Sequence, residues 1–296
     1  MGSKPWTTFL ILRAMRPRQW MKNLLLFAGL FFSRNLLDPL SVKRALAGFV
    51  IFCGLSGAVY LLNDLIDAPR DRLHPRKRHR PIAAGQLAPR DAVLAIILLL
   101  AAGLGAALWL SSYFWICCVA YLVLMLSYTT ILKEIFLIDT LIIALGFIIR
   151  AVSGVIVLRT PDNQVDLTSW FVICVLFLSL LLAFCKRRSE LVNLEGSAIE
   201  FRPVLSLYSL RMMDSVIAVC AAGCILSYTL YATHMEELWL MLSTLPFVLY
   251  GIFRYLYLVY NSDVTEAPEH ALASDPPLLG CVFLWGCSLV LVYFPA

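Results

Sequence analysis

The 296-residue chain is 61% hydrophobic and only 15% charged, with a mean hydropathy of +0.83, where a soluble domain has about 45–50% apolar and 25% charged residues. That excludes a soluble globular domain, and apolar runs that are continuous rather than alternating indicate membrane-spanning helices, not a β-barrel. The formal net charge of +5 comes from basic residues that lie mostly in short loops between apolar runs, which sets nucleic-acid binding aside.

At about 20 apolar residues per crossing, the sequence predicts nine spans in one polytopic domain covering 1–296. They fall near 17–33, 44–63, 91–110, 113–131, 136–158, 168–185, 213–233, 238–260 and 278–294. The first is the weakest, since only Asn23 to Phe32 is continuously apolar, and it is expected to begin at the interface. The start, Met1 to Lys22, is basic and broken by Pro5 and Pro17, which does not fit a cleavable signal peptide. The N-terminal stretch holds Arg16-Pro17-Arg18-Gln19-Trp20-Met21-Lys22-Asn23, whose tryptophan and lysine suit an interfacial anchor or a site edge.

The second predicted span ends in Asn63-Asp64-Leu65-Ile66-Asp67-Ala68-Pro69-Arg70-Asp71. On a helix Asn63, Asp64, Asp67 and Asp71 fall within an arc of about 100°. Three carboxylates on one face beside lipid need a neutralising cation. Mg²⁺, held by one or two carboxylates plus substrate phosphates, is the simplest candidate. Pro69 removes a backbone donor and is expected to kink or end the helix, taking Asp71 off that face. His74-Pro75-Arg76-Lys77-Arg78-His79-Arg80-Pro81 follows, a proline-stiffened basic run suited to phosphates or to fixing topology.

Further along, Tyr128 near the end of the fourth predicted span and Lys133 just beyond it stand at the cytoplasmic edge, and Asp139 heads the fifth. Arg150 lies inside that apolar span, where a lone arginine costs at least ~2.5 kcal/mol, so it is expected to pair with a carboxylate or line a cavity. The sixth span ends Lys186-Arg187-Arg188-Ser189-Glu190, with Glu190 four residues after Lys186. Most of the nine cysteines lie in apolar runs with no CxxC pair, which reads as small buried hydrophobes rather than metal ligands or disulfides.

Lysine and arginine concentrate in the N-terminal segment and the second and sixth loops, with Lys133 in the fourth, while the odd loops carry only Arg34, Lys43, Arg44 and Arg159. That bias puts the N-terminus and the charged clusters in the cytoplasm and, with nine spans, the C-terminus outside.

Together these motifs resemble the UbiA-type intramembrane prenyltransferase superfamily, on Asn63-Asp64-x-x-Asp67-x-x-x-Asp71, His74-Pro75 and Arg80-Pro81-Ile82-Ala83-x-Gly85. Within it the chain looks like the branch that transfers phosphoribosyl groups to decaprenyl phosphate. That likeness rests on Arg16-Pro17-x-Gln19-Trp20-x-Lys22-Asn23, Tyr128 to Lys133 with Asp139, Arg150-Ala151-x-x-Gly154, Lys186-Arg187-x-x-Glu190 and Glu266…Leu272…Asp275. The resemblance implies an all-α integral membrane fold of nine helices around a central cavity open to the cytoplasmic side, in the cell's inner membrane. It implies Mg²⁺-dependent transfer from phosphoribosyl pyrophosphate to a polyprenyl phosphate, with Asp64, Asp67, Lys133 and Asp139 as catalytic residues. Asn63, Asp67 and Asp71 are then the metal residues. Lys22, Asn23, Lys77, Arg80, Tyr128, Arg150, Lys186, Arg187 and Glu190 are the substrate-binding ones. Membrane lipid is the surrounding partner, and a homo-oligomer is compatible with the sequence. Superfamily members that attach prenyl groups to aromatic acceptors carry a second acidic DxxxD motif, where this chain has Lys133 and Asp139. Prenyl transfer is therefore the enzymatic alternative, and a lipid-phosphate transporter or binder the non-enzymatic one.

Overall fold

A computed structural model describes residues 5–73, 75, 77–160, 164, 165, 168–193, 203–235, 238–261 and 274–293. These residues form helices with no β-strand element among them. The helices are α1 (Pro5–Ala14), α2 (Leu26–Phe32), α3 (Pro39–Leu73), α4 (Pro89–Leu110), α5 (Ser112–Thr130) and α6 (Ile138–Ile156). They continue with α7 (Ser169–Asn193), α8 (Leu210–Thr233), α9 (Leu238–Leu242), α10 (Leu245–Asn261) and α11 (Pro276–Tyr293). Eight stretches are long and apolar enough to cross a membrane, α9 and α10 counting as one.

The helix starts follow from capping chemistry. Asp38 accepts the Ser41 amide at 2.9 Å ahead of Pro39, Ser209 accepts the Met212 amide at 3.2 Å, and Asp275 accepts the Leu278 amide at 2.9 Å ahead of Pro276. The hydrogen bonds to Ser41 hold the Asp38 carboxyl below its ordinary value, so the cap stays ionised at neutral pH.

Three expectations need correction. The segment 17–33 is not one span: a 3₁₀ stretch over Pro17–Leu25 precedes the seven-residue α2. The helix carrying the acidic face does not stop at Pro69. Proline removes only the bond from its own amide, and α3 continues to Leu73, keeping Asp71 on the face of Asn63, Asp64 and Asp67. The sixth predicted span likewise runs on to Asn193, so Lys186 to Glu190 are helical.

The helices divide into two compact units. The first comprises residues up to Leu132 together with Ile149–Asp166. There α3 packs on α4, α1, α2 and α5, around a core that includes Leu10, Met15, Ala58, Leu61, Ile82 and Leu87. Arg44 in this unit donates to the carbonyls of Val157 at 2.7 Å and Leu110 at 3.0 Å. It therefore neutralises two helix C-termini, which accounts for a basic residue near a loop otherwise poor in them. The second unit comprises Lys133–Ile148 and the chain from Leu167. Its core joins α7 and α8 through Leu181, Phe184, Met213, Ile217 and Cys220, with Ile252, Tyr255 and Val259 of α10 against them. Outward-facing Val93, Leu94, Ile97, Leu98 and Trp109 on α4 are exposed, as a lipid-facing helix requires.

Candidate functional site

In the first unit the carboxylates of α3 are met by arginines from two other segments. Asp64 and Asp71 are both buried, at 2% and 4% exposure. Arg80 Nη1 bridges them, 3.2 Å from Asp64 Oδ1 and 2.5 Å from Asp71 Oδ2. Arg16 Nη2 donates to the same Asp64 Oδ1, and its guanidinium carbon lies 5.0 Å from the Tyr60 ring centre. Two carboxylates two turns apart are thus tied by one arginine, which only a helix continuing past Pro69 permits. Asn63 and Asp67 are half-buried on the same face, and Lys77 is half-buried in the short 3₁₀ turn Lys77–His79 before Arg80. His74 and Arg76 of the basic run lie outside the described residues.

A second polar group of this unit lies deeper. Asn23, 1% exposed, donates to Ser56 Oγ at 3.2 Å and accepts from Arg150 Nε at 2.8 Å. Arg150 Nη2 donates to the Tyr121 hydroxyl at 2.8 Å. The intramembrane arginine is thus bonded to an amide and a phenol, which offset part of its desolvation. Lys22, beside Asn23, and Tyr128, in the last turn of α5, are both half-buried.

The second unit carries its own cluster. Arg187 donates through Nε to Asp139 Oδ2 at 2.9 Å and through Nη1 to Glu190 Oε2 at 2.7 Å. The other oxygen of Asp139, Oδ1, accepts from the Tyr208 hydroxyl at 2.7 Å. That hydroxyl in turn accepts the Leu137 amide at 3.0 Å, and Leu137 has a left-handed φ of 64°. Lys133 and Lys186 are half-buried. Asp275, the described member of Glu266…Leu272…Asp275, takes both Arg254 Nε and Nη2, at 3.1 and 2.8 Å. Glu266 and Leu272 lie outside the described residues.

Tyr208 escapes sequence reasoning. It lies between α7 and α8, and nothing local marks a tyrosine whose partner is 69 residues away. Burial first, and then its bond to Asp139, push its phenol up to about 12, so it remains a donor throughout the physiological range. Tyr208→Phe is expected to cost about 2 kcal/mol, the worth of a hydrogen bond to a charged group, read as a lower melting temperature in detergent. An unchanged melting temperature would show that the hydroxyl does not hold the Asp139–Arg187 pair.

A hard divalent cation takes oxygen donors and keeps waters or substrate phosphates among them. The α3 face offers oxygen donors of that kind. Among the described residues, however, no group of three His, Cys, Asp or Glu side chains converges into a ready cage. Asn63, Asp64, Asp67 and Asp71 therefore suit a metal that arrives with a diphosphate, rather than one the chain encloses alone. The Trp20 indole N–H is buried with no acceptor among the described residues, and the ring packs against the apolar core of this unit.

Residues 24–287 match the UbiA prenyltransferase family. The decaprenyl-phosphate phosphoribosyltransferase of Corynebacterium glutamicum is 30% identical over 300 residues, covering 96% of this chain and 86% of that one. The enzyme of the same name from Mycobacterium tuberculosis is 31% identical over 284 residues, 93% of this chain and 91% of the other. Among solved structures, a UbiA homolog from Archaeoglobus fulgidus bound to GPP and Mg²⁺ is similar with a TM-score of 0.74. At 17% identity, covering 96% of this chain and 99% of that one, it speaks for the fold alone.

Proposed function

The chain belongs to the UbiA prenyltransferase family, and from that premise we propose that it transfers a 5-phosphoribosyl group from phosphoribosyl pyrophosphate to a polyprenyl phosphate. The observation that carries the proposal is the kinship along nearly the whole chain with enzymes named for decaprenyl-phosphate phosphoribosyl transfer. The residues support it. Where prenyl-transferring members carry a second acidic motif, this chain has Lys133 and an Asp139 already engaged by Arg187 and Tyr208. Two phosphorylated substrates call for more cations than carboxylates.

A phosphate oxygen of the lipid attacks C1 of the ribose, and the bond from C1 to the pyrophosphate oxygen breaks. No general base is required, because a phosphate monoester is already ionised near neutral pH. When bound, Mg²⁺ would offset the charge that builds on the departing pyrophosphate. Asn63, Asp64, Asp67 and Asp71 would hold the metal and diphosphate, and Lys22, Lys77, Arg80, Lys133 and Lys186 the phosphates. Arg187 would meet a phosphate in a direction set by Asp139 and Glu190. Such cations lower the repulsion between the two substrates and align them for attack. Asn23 and Arg150 would take part in substrate binding, their mutual bond also setting the course of the chain that carries Lys22. Tyr128 would orient the ribose.

Counting the broken segment Pro5–Phe32 as a further crossing gives the nine helices that the resemblance implies. The basic loops then put the catalytic end at the cytoplasmic side of the inner membrane, with the polyprenyl tail among apolar helices. In the test, membranes containing the protein are given labelled phosphoribosyl pyrophosphate, polyprenyl phosphate and Mg²⁺. Label is expected in the organic-soluble fraction only when all three are present, and a chelator should abolish it. Consumption of a prenyl diphosphate in its place would favour prenyl transfer, and lipid-phosphate binding with no pyrophosphate release would favour a transporter or binder.

A further inference from the structure

The two buried carboxylates of α3 are already balanced. Asp64 and Asp71 carry two negative charges, and Arg16 and Arg80 bring two positive ones, both arginines meeting on the single oxygen Asp64 Oδ1. A divalent cation arriving alone at Asp64 would add two charges to that balanced set and would have to displace a guanidinium from its carboxylate. A cation arriving with a diphosphate meets the opposite situation, because the phosphate oxygens can take the displaced guanidinium in bidentate fashion.

Arg16 is built for such an exchange. Its backbone is left-handed, at φ 54° and ψ 68°, in a β-carbon-bearing residue directly before Pro17, a conformation sparsely populated without a tertiary constraint. The turn is closed by its own backbone, Arg16 N–H donating to the Arg13 carbonyl at 3.2 Å and Gln19 N–H to the Arg16 carbonyl at 2.8 Å, and the pair with Asp64 and the Tyr60 ring beneath the guanidinium add to it. Its side chain is 27% exposed, against 2% for that of Asp64, so it can leave the carboxylate without crossing packed core.

We propose that Arg16 is a place-holding cation: it neutralises Asp64 in the unliganded protein and passes to the donor's phosphates when the metal takes the carboxylate. Metal and donor then bind as one unit, each raising the affinity for the other, as thermodynamic linkage requires. Arg16 is a substrate-binding residue in this scheme, since its guanidinium ends on the donor's phosphates. The proposal rests on the reading of α3 as the metal–diphosphate face.

Calorimetric titration of the full-length protein in lipid nanodiscs tests it, first with Mg²⁺ alone and then with phosphoribosyl pyrophosphate in the presence of Mg²⁺. Arg16→Gln removes the competitor and is expected to tighten binding of Mg²⁺ alone by about tenfold, a difference of ~1.4 kcal/mol. The same change is expected to weaken donor binding by about tenfold or more. A purely structural arginine would move both affinities downward together. Mg²⁺ binding that is unchanged or weaker in Arg16→Gln overturns the proposal. If Arg16→Gln does not fold, Arg16→Lys supplies the readout, with the same opposed shifts at smaller size. Both shifts are required: tighter Mg²⁺ binding with unchanged donor binding would overturn the passage of Arg16 to the phosphates. Failure of wild-type protein to bind the donor at any Mg²⁺ concentration would instead defeat the functional reading.

Discussion

Asp67→Asn is expected to reduce phosphoribosyl transfer by at least about a hundredfold while leaving the protein folded. The argument begins with the neighbouring carboxylates. Asp64 and Asp71 are buried, at 2% and 4% exposure, so replacing either removes a metal donor and also disturbs packed core. A loss of activity there would mix two causes. Asp67 is half-buried on the same face, one turn from each, and substitution by its near-isosteric amide removes charge without changing volume. Loss of one preorganised electrostatic contact to a transition state typically costs about 10²–10³ in rate, and loss of a carboxylate on a divalent cation belongs at the upper end. Pyrophosphate release at saturating lipid phosphate, followed as a function of Mg²⁺, checks it. The variant should require more Mg²⁺ and stay slow even when saturated. Turnover equal to wild type would remove Asp67 from the metal face.

The sequence displays this acidic face because a period of 3.6 is a local property, and Asn63, Asp64, Asp67 and Asp71 need no distant partner to be aligned. Eight of the crossings are legible for a like reason, since the length of an apolar run is also a local property. Pro69 misled because a proline in an established helix forfeits one hydrogen bond, which the packing of a 35-residue helix outweighs. The broken course of 17–32 was only partly legible: hydropathy suggested an interfacial start, but the 3₁₀ stretch depends on the left-handed turn at Arg16. The remaining gaps are long-range. Arg16 pairs with Asp64 across 48 residues and Arg150 with Asn23 across 127, and Tyr208 meets Asp139 across 69. No window on a single sequence contains both members of such a pair. Basic residues are abundant enough at the ends of the spans that their charge alone does not say which one balances which carboxylate.

Gly154→Ala is expected to destabilise the protein by about 3 kcal/mol or more, the upper range for overpacking, and to lower its melting temperature in detergent sharply. A β-carbon at Gly154 would stand 2.1 Å from the carbonyl oxygen of Leu26 and 2.7 Å from its carbonyl carbon. The reciprocal contact is as close, since a β-carbon at Gly29 would lie 2.5 Å from the Gly154 oxygen. Both obstacles are backbone, so no rotamer change relieves them, and α2 would have to move off α6. Arg150 lies one turn before Gly154 on the same helix, and its 2.8 Å bond to Asn23, three residues before Leu26, would be stretched by that movement. Lys22 and Arg16 lie on the segment that Asn23 anchors, so the substitution should also weaken donor binding from a position that touches no donor. Gly105→Ala is the control. A β-carbon there meets nothing within 4 Å, and alanine in an exposed helix interior is favoured over glycine by about 1 kcal/mol. The same chemical change should therefore be neutral or stabilising on α4 and severely destabilising on α6. Equal melting temperatures for the two variants would mean that the close backbone approach between α2 and α6 does not exist.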